Sequence, residues 1–451
     1  MRNVFCFALL VVTILAAQPT HQAIADQITR KGLEDLYAFE MLKELTQFGH
    51  RFSGTPGYDS AVQWAEKKLK EIGADSVWLQ PVLVPRWVRG TPEKAIATVG
   101  KQKIDLSVCA LGGSVATPKN GITGEVIEVK SLMEAKQLGE RAKGKIIFYN
   151  RPFDRTKVNP FEAYGGAVDQ RGRGAIEAAK VGAVAVLIRS MTNALYKVPH
   201  TGAMRYADTV AKIPAAAIST MDADMLSEEL QKGNIVSVTL TMDCKTLPEG
   251  QAYSVIGEIR GTEYPNEIVL IGGHLDSWDK GTGAHDDGSG VVQCIDVLRL
   301  MKELKLKPKR TVRCVLFANE ENGLRGARTY AKNIDTTKEK HIAAIESDAG
   351  GFSPRGFGVE TDSVRFLKVV SFAPLLESIG ADRIRIGGSG ADISVLEKFG
   401  TVLIGLSPDP QRYFDYHHTD IDTIDKVHPR ELQLGAIAVA ILTWAIVQEG
   451  I

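Results

Sequence analysis

Apolar and polar positions along this chain follow two different periods, and the change between them divides the chain. From Gly32 to Gly73 the period is helical. Leu42, Leu45 and Phe48 share one face, the stretch RFSGTPGYDS interrupts it, and Val62, Trp64, Ala65, Leu69 and Ile72 resume it among Lys and Glu. Strand-like stretches follow at 76–84 and 95–106. Between about Ala116 and Asp243 the texture becomes short apolar runs set off by glycines. GEVIEV, KGKIIFYN, VAVLI, IPAAAIS and VSVTLTM read as strands, with helices at GRGAIEAAKVGA and from Met221 to Lys232. That block reads as an inserted α+β domain, residues 116–243, between two parts of a larger one, residues 26–115 and 244–451.

From Ser254 onward strand and helix alternate. EIVLIGG is a continuous apolar run suited to a strand buried on both faces, and Val291, Cys294, Ile295, Leu298 and Met301 follow at helical spacing. RTVRCVLFA, a helix from Gly323, HIAAIES, a helix from Ser363 to Ile379, TVLIGLS and a long helix from Pro429 to Val447 complete the series. Such units predict an α/β fold with a mostly parallel central sheet and helices on both faces. The apolar stretch from Gly435 to Val447 is too short to span a bilayer and is expected to pack on that sheet.

The first residues follow a different logic. Arg2 precedes an apolar run from Val4 to Ala17, and Ala23-Ile24-Ala25 supplies small residues at both positions of an A-x-A site. This is the secretory signal pattern, with 1–25 as signal peptide and cleavage expected before Asp26. It implies export and no membrane attachment afterwards. Cys109, Cys244, Cys294 and Cys314 remain in the exported chain. They are too sparse for a disulfide framework, and Cys294 and Cys314 read as buried thiols. Lys plus Arg and Asp plus Glu both number 54, so no global field favours nucleic acid or an anionic membrane.

Any chemistry must therefore be local, and it gathers at the strand ends. EIVLIGG runs into His274 and Asp276, and the loop GTGAHDDGSG supplies Asp286 and Asp287 before a helix. VRCVLFA ends at Glu320 and Glu321, HIAAIES at Asp348, and a loop after TVLIGLS holds His417, His418, Asp420 and Asp422. Each alone reads as a cap, a turn or a solvated pair. In an open parallel sheet, however, ligands bind beyond the carboxyl ends of the strands, so these residues converge. Closely packed carboxylates repel or hold protons unless divalent cations neutralise them. Imidazole with carboxylate and without thiolate suits catalytic zinc, and two ions bridged by one carboxylate resolve the conflict. Asp276, two residues past His274 on an extended chain, either supports the imidazole or ligates directly. The adjacent glutamates divide two roles: one reaches the metal, and the other takes a proton from water and passes it to the leaving amine.

The motifs GGHLDSWD, GAHDDGSG, NEENGLRGA, ESDAGG and HHTDIDT resemble those of the co-catalytic zinc exopeptidases, which include bacterial aminopeptidases and glutamate carboxypeptidases. The resemblance implies a phosphorylase/hydrolase-like fold and two zinc ions per chain. Asp286 would bridge the ions, His274 and Asp348 would complete one, and Glu321 and His418 the other. Glu320 would be the catalytic acid/base, Asp276 the supporting carboxylate, and the Asp286–Asp287 peptide cis. The 116–243 block resembles a protease-associated domain through KGKIIFYN, AAKVGAVAVLI and IPAAAIS. The implied activity is hydrolysis of dipeptides or short peptides with free termini, as a dipeptidase or carboxypeptidase, with a broad aminopeptidase as the alternative; a homodimer is implied too. The fold also occurs in non-catalytic receptors and glutaminyl cyclases, but none of the six central positions departs from the catalytic pattern.

Overall fold

A computed structural model of the chain describes residues 20–451. Eight strands form the larger sheet, in the order Ser76–Val88, Lys245–Ile259, Arg310–Phe317, Tyr264–His274, Lys340–Glu346, Val402–Pro408, Pro354–Glu360 and Arg383–Ile386. The inner four, from Arg310–Phe317 to Val402–Pro408, are parallel, as expected from their unbroken apolar runs. The flanks are mixed: Ser76–Val88 and Lys245–Ile259 pair antiparallel, as does Pro354–Glu360 with Val402–Pro408, while Arg383–Ile386 pairs parallel with Pro354–Glu360. Alternation of buried and exposed positions along Ser76–Val88 explains this, because an antiparallel flank can leave one face to water.

Successive residues of the central strand feed opposite layers. Val269 and Ile271 pack with helices Ser289–Glu303 and Pro429–Glu449, whereas Leu270 packs with helix Arg325–Asn333. Each such side chain, fully buried, stabilises the fold by about 1.5–3 kcal/mol. Helix Pro429–Glu449 is apolar enough by length and composition to cross a membrane, yet 78% of its most apolar window is buried in this core. The helix expected from Ser363 to Ile379 divides into Ser363–Val370 and a 3-10 turn Ala373–Ile379. Pro374 lacks the N–H that would continue the first helix. All four described cysteines are buried and unpaired.

A second eight-stranded sheet runs Gln102–Leu106, Lys94–Val99, Val236–Thr241, Ile122–Val129, Ile146–Tyr149, Ala185–Arg189, Ala215–Ile218 and Val108–Ala110. Three of its strands precede residue 116, so this lobe starts earlier than the sequence pattern suggested. Ala95 and Ala97 bury on the same face as Val238 and Leu240, a pairing between distant segments that local periodicity does not announce.

Residues 1–19 of the expected signal peptide lie outside the described residues. Helix His21–Asp35 runs through the expected cleavage point, capped by Thr20. Ile24 and Ala25 are only 5% and 2% exposed, and His21 Nε2 lies 2.8 Å from Glu449 Oε1. Cleavage before Asp26 would thus cut a packed helix. A chain starting at Asp26 is expected to be about 2–4 kcal/mol less stable than one starting at Thr20, from a lost cap and a lost buried Ile. Thermal melts of the two forms check this; equal melting temperatures would refute it.

Candidate metal centre

The parallel strands set the site. Tyr264–His274 delivers His274, Arg310–Phe317 leads into Glu320 and Glu321, and Lys340–Glu346 leads into Asp348. Because the three strands run the same way, these side chains emerge at one edge. The loop before helix Ser289–Glu303 adds Asp286, whose peptide to Asp287 is cis. His418 follows helix Tyr413–Tyr416. Asn319 and His418 both take a left-handed φ of 62°, which turns the chain sharply at the two places where ligands converge.

The donor atoms fall into two overlapping triads. His274 Nε2 stands 3.3 Å from Asp286 Oδ1 and 3.5 Å from Asp348 Oδ1. His418 Nε2 stands 3.2 Å from both Asp286 Oδ2 and Glu321 Oε2. Ligand atoms around a tetrahedral ion at zinc–ligand distances lie about 3.3–3.6 Å apart. The two sets match that spacing and share only the Asp286 carboxylate. Asp286 Oδ2 and Asp348 Oδ1 are buried without a hydrogen-bond partner, as oxygens reserved for a cation would be. His417 Nε2 is farther from Asp286 Oδ2, at 3.8 Å. Its ring stacks on that of His418, with centroids 3.5 Å apart, so it buttresses that ring. The Asp287 carboxylate accepts from the backbone N–H groups of His274, at 3.1 Å, and Gly290, at 2.9 Å, which engages both oxygens in holding the loop.

Electrostatics show the conflict that a cation resolves. Burial works against ionisation of Asp286, but the imidazoles of His274 and His418 beside it hold its carboxyl well below the usual range. Burial drives Asp287 and Glu321 well above it, with Asp348 adding repulsion at the first and Asp286 at the second. Glu320 is pushed up to about 8, mainly by burial; His274 opposes the rise, and Asp348, Asp276 and Asp286 add to it. A site that keeps carboxyls protonated when metal-free is one that divalent ions would ionise.

Asp276 acts differently from the expected supporting carboxylate. The His274 Nδ1–H donates to the Asp276 backbone carbonyl at 2.9 Å, while the carboxylate is 3.8 Å away. That carboxylate instead accepts from the backbone N–H groups of Glu320, at 3.0 Å, and Glu321, at 3.4 Å. The sharp turn at Asn319 leaves those two amides without a sheet partner, and Asp276 satisfies them. It thereby sets the positions of both glutamates.

Three further groups, whose roles local sequence does not reveal, hold the ligands in place. Arg51, within RFSGTPG, is buried and donates to the carbonyls of Leu275, Thr282 and Gly283, tying down the loop that carries Asp286. Asp422 accepts from the backbone N–H groups of His285 and Asp286, at 2.8 and 3.1 Å. Glu321 Oε1 is oriented by the backbone N–H of Trp278 at 3.1 Å.

Residues 254–443 match the pattern of peptidase family M28. Bovine carboxypeptidase Q is 36% identical over 401 residues, 88% of this chain and 82% of that protein. The chain belongs to peptidase family M28. It is a metallopeptidase. The M28 peptidase precursor of Shewanella amazonensis matches with a TM-score of 0.91 at 36% identity, over 96% of this chain and 97% of that one. The zinc aminopeptidase of Bacillus subtilis, with a TM-score of 0.64 at 20% identity over 91% and 95% of the chains, shares the fold.

In this M28 peptidase the second lobe forms part of the wall of the metal centre. A cavity of about 240 Å³ over Glu320, Asp348 and His418 is closed by Phe161, Tyr164 and Arg171 of helix Pro160–Lys180. Arg171 is 7% exposed and forms no ion pair with any described residue. Its Nη2–H donates to the Tyr164 hydroxyl at 2.5 Å and its Nη1–H to the Thr201 carbonyl at 3.4 Å, while its Nε–H is unpartnered. Gly202 lets it sit close: a Cβ there would lie 2.4 Å from Arg171 Nη1 and 2.8 Å from His418 Nδ1.

Proposed function

We propose that this M28 peptidase is an exported two-zinc exopeptidase that hydrolyses dipeptides and short peptides, holding the free C-terminal carboxylate on Arg171. His274, Asp286 and Asp348 would hold one ion, and His418, Asp286 and Glu321 the other. The bound ions supply Lewis acidity and neutralise developing negative charge. Glu320 takes the proton of the attacking water on its carboxylate and returns it to the leaving amine. Asp276 holds the Glu320 backbone so that this carboxylate stays aimed at the cleft.

What supports the substrate reading most is Arg171. A buried guanidinium with no carboxylate of its own is costly, and a substrate carboxylate in fork geometry offsets that cost. The similarity to carboxypeptidase Q points the same way. The second lobe, read as a protease-associated domain, would thus contribute recognition, and the chemistry would stay with the larger sheet.

Replacing Arg171 with Gln is expected to raise KM for a dipeptide about 10–100-fold, the loss of one charge-assisted pair, with little change for the corresponding dipeptide amide. Steady-state kinetics on the two substrates read this. Equal effects on both would remove Arg171 from carboxylate binding. Faster turnover of an aminoacyl-nitroanilide than of any dipeptide would replace the whole reading with a broad aminopeptidase. Export is tested by N-terminal sequencing of the secreted protein, where the packed helix His21–Asp35 favours a start at or before Thr20.

A further inference from the structure

A second, larger cavity of about 710 Å³ adjoins the metal centre and shares Phe161 and Asp348 with the first. Its outer wall is the edge strand Arg383–Ile386. Side chains alternate along a strand, and Ile384 packs toward the core of the larger sheet. Arg383 and Arg385 therefore share the opposite face and line the cavity. Their Cα atoms stand about 6.6 Å apart along an extended strand, a separation from which two long side chains can converge on one carboxylate.

The charge balance of this cavity is uneven. Arg355 is matched by Asp409, at 3.0 Å. Glu360 accepts from the backbone N–H of Ser389 at 3.2 Å, helping to fix the Gly388–Ala391 loop that forms the floor. Asp348 belongs to the metal centre. Arg383 and Arg385 form no ion pair or hydrogen bond with any described side chain. Two guanidinium groups face this cleft beside a peptidase centre against Glu360 as the one acid of the wall not already committed, and the excess positive charge suits an acidic group supplied from outside.

We infer that this cavity receives the side chain of the substrate residue on the N-terminal side of the scissile bond, and that Arg383 and Arg385 select Asp or Glu there. The inference rests on the exopeptidase reading above. With the C-terminal carboxylate at Arg171, the other residue of a dipeptide extends past Asp348 toward the Gly388–Ala391 floor and the arginine pair. Glu and Gln have nearly the same shape, so discrimination between them reports charge alone.

The test measures binding separately from turnover. Calorimetry on the zinc-loaded Glu320→Gln protein, whose turnover is expected to be about 10²–10⁴-fold slower, compares Glu-Ala with Gln-Ala. Glu-Ala is expected to bind about tenfold more tightly, the value of one charge-assisted contact in a half-open pocket. In the Arg383→Gln/Arg385→Gln variant the ratio is expected to fall to about one, and in the Arg383→Glu/Arg385→Glu variant to shift in favour of Lys-Ala. Both positions are exposed on an edge strand, so folding tolerates these changes. Equal binding of Glu-Ala and Gln-Ala, or a ratio that survives in the double variant, would overturn the assignment. So would a preference confined to Ala-Glu over Ala-Gln. Failure of the wild-type protein to hydrolyse any dipeptide would instead defeat the exopeptidase reading, leaving the binding ratio as a separate result.

Discussion

Replacing Glu320 with Gln is expected to lower kcat by about 10²–10⁴-fold, the usual worth of a positioned general base, with zinc content unchanged. The expectation follows from the division between neighbouring glutamates. Glu321 points one oxygen at His418, 3.2 Å away, and the other at the Trp278 backbone N–H, so it is committed to the metal triad. Both glutamates line the cavity that also contains Arg171, but the Glu320 carboxylate has no such commitment to the triad. Gln keeps the shape and a hydrogen-bonding end but cannot accept a proton. Paired measurements of metal content and dipeptide turnover distinguish the roles. Retained turnover would refute Glu320 as base, and loss of metal together with activity would mean that it is a ligand.

Replacing Asp286 with Ala is expected to remove both ions at once and abolish turnover, because among the described residues it is the one carboxylate within 3.3 Å of both His274 and His418. Metal analysis of the purified variant reads this directly, and retention of about two zinc ions per chain would exclude Asp286 as the bridge. Chelation of the native protein should also lower its melting temperature. Ions at a hundredfold excess over their dissociation constant stabilise the folded state by about 2.7 kcal/mol per site.

The metal-free protein should also show an inverted pH response. Burial raises Glu320 to about 8 and Glu346 and Asp422 to about 7. Carboxyls whose folded pKa exceeds the unfolded value bind more protons when folded, so stability falls as pH rises from about 7 to 8, where the buried histidines His200, His285 and His341, held below their usual range, are neutral in both states and no longer oppose the fall. Melting temperatures in chelator at about pH 7 and 8 check the direction. A metal-free protein more stable at pH 8 would show that these carboxyls are already ionised.

Much of this site is legible along the chain. His274, Glu320, Glu321 and Asp348 each follow a continuous apolar run that reads as a buried strand, and parallel pairing then brings the ends to one edge. The charge conflict among Asp286, Asp287, Glu320, Glu321 and Asp348 is likewise visible in composition. The work of Asp276 is not. Its distance of two residues from His274 suggested a carboxylate–imidazole contact, whereas its oxygens are drawn to the two free amides of the Glu320–Glu321 turn. The turn lies 44 residues away along the chain, beyond the reach of any local pattern. The lobe boundary was hidden for the same reason: Lys94–Val99 finds its partner at Val236–Thr241.

The sequence by itself determined the parallel core, the metal-type ligand set and the family, because these depend on residue type and short-range period. Tertiary structure alone decided the rest. It gave the physical ground for His418 over His417, which the family resemblance had assigned but residue type could not: the two approach Asp286 at 3.2 and 3.8 Å. It brought Arg171 from the second lobe to the metal centre without a carboxylate partner, and it set Arg383 and Arg385 along the neighbouring cavity. Burial and unmet charge arise from the contacts among distant segments, and a residue's own neighbours in the chain carry no record of them.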